Sequence, residues 1–377
     1  LPILGIIAEY NPFHNGHAYQ IQAARAMGFD QIVVVLSGAF VQRGEPAVCS
    51  KRARTEMALR GGADVVLELP VCGVLSSAQG FARTAVETLI ATGVVTDLCF
   101  GSECGDITRL QRVADALQHE GLDAAIKEEL KNGVSYPLAR QRALSRFCED
   151  ASLLGHPNDL LGIEYLMANR GRLTAHAILR KGAPHDGRDA DTAGATACRE
   201  MLRAGESVEQ YVPDFVMPLL AQPVFVKDME RAMLAQLRGM NAQDFAKIPD
   251  VSEGLDHKIV TAVRQGRSLE QVVEIIKSKR YARSRICRIL MRAYLGLTRS
   301  ADTPEYIRVL GLRRSATDIL GQMRRKATLP IVQHVASDDK GFVGLAEDIK
   351  VNDLWHTFTP AVQAAGSDYR EFPVVIE

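Results

Sequence analysis

The first hundred residues of this chain repeat one arrangement. A short run rich in Val, Ile and Leu is followed by a longer stretch with apolar residues at helical spacing. The runs are Ile3–Ala8, Gln31–Ser37, Asp64–Leu69 and Asp97–Gly101, and the stretches between them are Ala18–Met27, Lys51–Arg60 and Ala78–Thr92. Runs this short and apolar suit strands buried on both faces. Gly28, Gly61–Gly62 and Gly93 stand where the helices should stop. Strand and helix in alternation predict an α/β fold with a doubly wound parallel sheet. Ligands in such sheets sit beyond the carboxyl ends of the strands.

Farther along, Ile107 to about Arg146 reads as helical, and "LGHPNDLLGIEYLMAN" as a His-Pro turn entering an apolar helix. Leu173–Gly182 has strand character, and "DGRDADTAGATACREML" reads as a polar loop running into a helix. After about residue 205 the pattern is mainly helical, with the basic segment "KSKRYARSRICRILMRAYLGL". A final α/β piece starts at Pro304. The expected division is therefore 1–204, 205–303 and 304–377, with the middle part helical and basic.

With 377 residues and 47% hydrophobic content, two or three domains with substantial cores are expected. The 45 basic and 45 acidic residues cancel, so any nucleic-acid partner must be met by local basic patches. The seven cysteines are scattered without a CxxC pair, which reads as reduced thiols and a cytoplasmic setting. No apolar run approaches the length of a membrane span, and none begins the chain as a secretory signal.

The stretch "EYNPFHNGHAYQ" follows the first apolar run directly. His14 and His17, three apart around Gly16, admit three readings. A shared metal is disfavoured by Pro12, by Gly16 and by the lack of a third ligand nearby. A polar turn with incidental histidines is the second. The third follows from position: a turn at a strand's carboxyl end, opening into a helix, is where phosphates meet free backbone N–H groups and the helix dipole. Imidazoles there supply donors as charge builds on a phosphate during displacement.

Eight strings occur in order: "GIIAEYNPFHNGH", "LSGAFVQRGEPA", "GADVVLELP", "SSAQGFARTAVETL", "FGSECGD", "PNDLLGIEYL", "SEGLDHKI" and "SKRYARSRICRIL". From about Leu4 to Pro330 the chain resembles the bacterial tRNA(Met) cytidine acetate ligase family, of the HxGH nucleotidyltransferase superfamily. The resemblance implies a nucleotidyltransferase-like Rossmann domain, then a tRNA-binding helical domain and a small C-terminal domain. It implies that acetate and ATP form acetyl-adenylate and pyrophosphate. The acetyl group then passes to N4 of the wobble cytidine of elongator tRNA(Met), releasing AMP. Mg²⁺ is expected with ATP, and no metal site of the protein's own.

Carried over position by position, the ATP site takes in Ile6, Ile7, Ala8, Glu9, Tyr10, Asn11, Pro12, Phe13, His14, Asn15, Gly16, His17, Ala18 and Tyr19. Gly101, Asn158, Arg180, Thr196 and Arg199 join it, with His14, His17 and Arg199 as the catalytic set. The family's second phosphate motif, Ser-Ala-Ser-Ala-Ile-Arg, stands here as residues 194–199, with Gly194 for the first serine. Lys277, Lys279, Arg280, Tyr281, Arg283, Arg285 and Arg288 are the expected tRNA contacts, Tyr281 by stacking. A second basic concentration comprises Arg308, Arg313, Arg314, Arg324, Arg325 and Lys326. "SGAFVQRGEP" is the candidate acetate wall, where the family's Asn is replaced by Ala39, with Arg43 or Lys51 as a partner for the carboxylate or phosphates. The competing expectation is an adenylyltransferase of small phosphorylated substrates in coenzyme biosynthesis.

Overall fold

The computed structural model describes residues 1–181, 193–252, 254–300 and 303–377. Its strands are β1 (Ile3–Ala8), β2 (Gln31–Ser37), β3 (Phe40–Val41), β4 (Glu45–Pro46), β5 (Val65–Leu69), β6 (Asp97–Ser102), β7 (Thr174–Leu179), β8 (Ile307–Arg313), β9 (Ile331–Val332) and β10 (Val374–Ile376). The order β5-β2-β1-β6-β7 is parallel throughout, with Ile3 opposite Gln31 and Leu4 opposite Asp97. Alternate residues explain the burial. Ile3 and Ile7 face one core with Val33 and Val35, whereas Leu4 and Ile6 face another with Ile32, Val34 and Leu36. A strand covered on both faces needs apolar residues at every position, which these runs supply.

The first helix is Asn15–Ala26, three residues earlier than the apolar spacing predicts, because His14 caps it. Lys51–Arg60 and Ala78–Ala91 follow as expected. The helices Ile107–Ala116, Leu122–Lys131 and Tyr136–Leu144 fill the segment read as helical, and Pro157–Asn169 follows the His-Pro turn. The polar loop expected over residues 186–192 lies outside the described residues.

The segment 304–377, expected as a small separate domain, shares the main sheet. β8 pairs antiparallel with β5, and β9 and β10 pair parallel with β8, so the sheet is mixed. Ile307, Val309 and Leu312 therefore join a core of the first domain. Its clamp is ionic. Lys51 lies 3.0 Å from Glu68 and 2.9 Å from Asp368, and Arg308 lies 3.3 Å and 2.7 Å from the same two carboxylates. All four are buried. The helical part has its own core, from Met229 and Phe245 to Ile289, and draws in Phe40 from the loop after β2 and Trp355 from the C-terminal segment.

Candidate active site

At the carboxyl end of β1 the chain turns through Tyr10, whose φ of 45° is in the left-handed region. Tyr10 and Phe13 are buried, and their rings meet edge-on at 4.8 Å. Asn11 is buried too; its Oδ1 accepts the Val48 N–H at 2.8 Å. Side chains from Ile6 to Phe13 therefore build the core and hold neighbouring loops, the Glu9 carboxylate included.

The two histidines are locked by reciprocal capping. His14 Nδ1 accepts the Gly16 N–H at 3.0 Å, and His17 Nδ1 accepts the His14 N–H at 3.2 Å. A neutral ring that accepts through Nδ1 carries its proton on Nε2. Both imidazoles are thereby fixed as Nε2–H donors, stacked with centroids 3.7 Å apart. Desolvation, the neighbouring His14 ring and the Arg180 charge hold the His17 pKa well below the usual imidazole value. His17 is therefore neutral near pH 7. This revises the expectation of free backbone donors, because the Gly16 N–H is occupied by His14. Gly16 has a steric role as well: a Cβ there would stand 2.9 Å from His14 Cε1.

Arg199 and Arg180 reach this turn, whereas Gly101 and Asn158 are placed by the end of β6 and the loop after it. Arg199, buried on the helix Ala195–Ala204, donates to the Asn11 carbonyl at 2.9 Å and to Thr196 Oγ1 at 3.2 Å. Arg180, beyond β7, passes over Gly101, whose Cβ would lie 3.4 Å from Arg180 Cγ, an ordinary contact. Asn158 opens the helix Pro157–Asn169 and donates from Nδ2 to Glu103 Oε1 at 2.6 Å; Glu103 Oε2 accepts the Asp159 N–H at 2.8 Å. In return Asp159 Oδ1 accepts from Ser102 Oγ and from the Glu103 and Cys104 amides at 2.5, 2.9 and 3.2 Å. The loop after β6 and this helix thus lock each other, which sets where Gly101 and Asn158 stand.

Arg54, not singled out in the sequence, and Glu9, expected only as one of the ATP-site stretch, organise the site. Arg54, fully buried, donates to the carbonyls of Glu9, Ser37, Gly38 and Cys49 and so ties the ends of β1 and β2 together. The Glu9 carboxylate accepts the Gln42 N–H at 2.6 Å, and burial raises its pKa against the opposing charges of Arg199, Arg54 and Arg43. Neither has a spacing signal, since their partners are loop carbonyls far along the chain.

Other expectations are redirected. Lys51 belongs to the buried ionic clamp, as does Arg308. Arg313 donates to the Leu59 and Ala63 carbonyls. Tyr281 is buried, with the Lys258 ammonium 5.8 Å and the Arg285 guanidinium 5.4 Å from its ring centre. Arg288 is buried as well. Arg283 pairs with Glu270 and Glu274, and Arg285 donates to the Asp250 carbonyl. Lys277, Lys279, Arg280 and Arg283 are exposed, between and at the start of the helices Leu269–Ile276 and Arg283–Leu295; Lys277 also pairs with Glu274 at 3.2 Å, and Lys279 donates to the Gly133 carbonyl at 3.2 Å.

The chain matches known proteins over nearly its whole length. A model of the HIGH Nucleotidyl Transferase family matches residues 1–369. The tRNA(Met) cytidine acetate ligase of Thermoanaerobacter sp. (strain X514) is 37% identical over 97% of this chain and 98% of its own. That of Thermosipho africanus is 32% identical with full coverage of both chains. The chain belongs to this ligase family. The crystal structure of Thermotoga maritima TmcAL bound with alpha-thio ATP superposes on it with a TM-score of 0.92, 36% identity and full coverage of both chains. The overall fold is thus shared with that ligase.

Proposed function

We propose that this protein activates acetate with ATP and acetylates N4 of the wobble cytidine of elongator tRNA(Met). The observation that carries the reading is the paired Nε2–H donors of His14 and His17 at the carboxyl end of β1. An acetate oxygen attacks the α-phosphorus of ATP, and pyrophosphate leaves. Two neutral donors already oriented meet the negative charge that grows on the phosphate oxygens, without reorganisation. Arg180 and Arg199 supply fixed cations beside them, with Thr196 as a hydroxyl contact. Gly194 removes one hydroxyl from the second motif, while Thr196 keeps the other. Mg²⁺ would enter bound to the ATP phosphates.

The second step needs no protein nucleophile. The cytidine amine attacks the acetyl carbonyl, AMP departs, and the amine proton passes to the leaving phosphate or to water. Alignment and exclusion of water are the protein's part. Residues 37–46 provide the acetate wall, with Arg43 near the Glu9 carboxylate. Lys277, Lys279 and Arg280 contact RNA phosphates. Purified protein with ATP, Mg²⁺, acetate and elongator tRNA(Met) is expected to give acetate-dependent ATP–pyrophosphate exchange and acetylcytidine at the wobble position by mass spectrometry. A dinucleotide formed from a small phosphorylated substrate, without acetylcytidine, would instead mark an adenylyltransferase.

A further inference from the structure

A cleft of about 560 Å³ lies apart from the histidine turn, and none of the ATP-site residues above lines it. Its walls include Ser76, Gln79 and Arg83 around the start of the helix Ala78–Ala91, Glu164 and Arg170 from the helix Pro157–Asn169 and its cap, and Arg292 from the basic helix. Clefts of this volume hold ligands of nucleotide size.

Two of its side chains are unfinished. Glu164 is 5% exposed; both guanidinium nitrogens of Arg140 donate to Oε1, while Oε2 has no hydrogen-bond partner. Arg292 is 1% exposed; its terminal nitrogens donate to the carbonyls of Cys72, Leu75 and Arg299, while Nε has no partner. Neither atom is open to solvent, so both are internal to the wall, and a ligand's contacts are with the polar groups that line the cleft. The lining carries Arg83, Arg170 and Arg292 against Glu87, Glu164 and Asp250, so its charges balance. A bare phosphate does not fit that set. A nucleotide does: its base edge offers N–H beside oxygen or ring nitrogen, and its phosphate takes an arginine at the rim.

The position selects RNA. Gln42 links the cleft to the active site, donating from its amide N–H to Glu9 and from Nε2 to the Ser76 carbonyl at 3.1 Å. On the far side Arg285, in the basic segment, donates to the carbonyl of Asp250, another lining residue. Hydrogen bonds thus tie the cleft to Glu9 on one side and to the basic segment on the other. We propose that the cleft receives one unstacked nucleotide of the tRNA, a neighbour of the one that is acetylated. The inference rests on the tRNA reading above.

The test uses the double variant Gln79→Ala/Arg83→Ala, both positions being exposed, and separately Glu164→Gln. Each is expected to raise the KM for elongator tRNA(Met) about tenfold, with tRNA-independent ATP–pyrophosphate exchange unchanged. Anticodon stem-loops with a single abasic residue then locate the contact. At one position beside the wobble base the lesion costs the wild type the same factor, and costs the variants nothing more. Unchanged KM in both variants, or losses that no abasic position absorbs, would overturn the cleft assignment while acetylation stands. If the wild type exchanges pyrophosphate yet acetylates no tRNA, the functional reading fails, and this inference with it.

Discussion

At the scale of single residues, the chemistry rests on which nitrogen of each imidazole carries the proton. His17 holds its Nε2–H because Nδ1 accepts a backbone amide, and desolvation keeps the ring neutral. Removing that donor with His17→Ala is expected to lower ATP–pyrophosphate exchange about 10²–10³-fold, as for loss of one oriented donor to a developing anion. tRNA binding, measured by filter retention, should change little. The depressed pKa also sets a pH profile. Exchange should show no loss as pH falls through 6.5, the ordinary imidazole value, and should decline only at lower pH, where the ring gains a second proton and Nδ1 releases the His14 amide. A midpoint at the ordinary value would contradict the buried, doubly fixed ring.

Among the elements, the loop carrying β3 and β4 is the joint between sheet and helical region. Gly44 has φ of 80°, and a Cβ there would stand 2.6 Å from the backbone of Cys287 and Arg288. Gly44→Ala therefore meets both left-handed strain, about 1–2 kcal/mol, and a clash with backbone that cannot rotate away. A lower melting temperature and a raised KM for acetate are the expected results. The joint was hidden in the sequence: "VQRGEP" announces a turn, but not that the turn presses on a helix far along the chain. Strands β1 and β2 were legible to the residue because runs of Val, Ile and Leu buried on both faces have few alternatives. The first helix was misplaced by three residues, since apolar spacing does not see a histidine cap. Gly101, Asn158, Arg180 and Arg199 became candidates only through the family resemblance, and the structure adds what spacing could not show, the Glu103–Asp159 lock and the Arg54 tie.

For the molecule as a whole, the last segment is the strap that closes the sheet edge. Asp368 answers both Lys51 and Arg308 in a buried site, so Asp368→Ala leaves two cations sharing Glu68. Breaking such a network costs about 3–5 kcal/mol, and calorimetry should show a matching fall in stability. Beside it, Asp348 accepts the Val71 N–H at 2.8 Å and the Tyr306 hydroxyl. Burial, then the nearby Glu68 charge, raises its pKa to about 8. In the unfolded chain the same carboxyl titrates near the ordinary value of about 4. Between those limits the folded state binds a proton that the unfolded state does not, so this group's contribution to stability is lost as pH rises. Asn at this position keeps the oxygen that receives the Val71 N–H and has no proton to lose. Asp348→Asn is therefore expected to flatten the decline of melting temperature between pH 5 and pH 9 relative to the wild type; an equal slope in both proteins would mean that the carboxyl is already ionised in the fold.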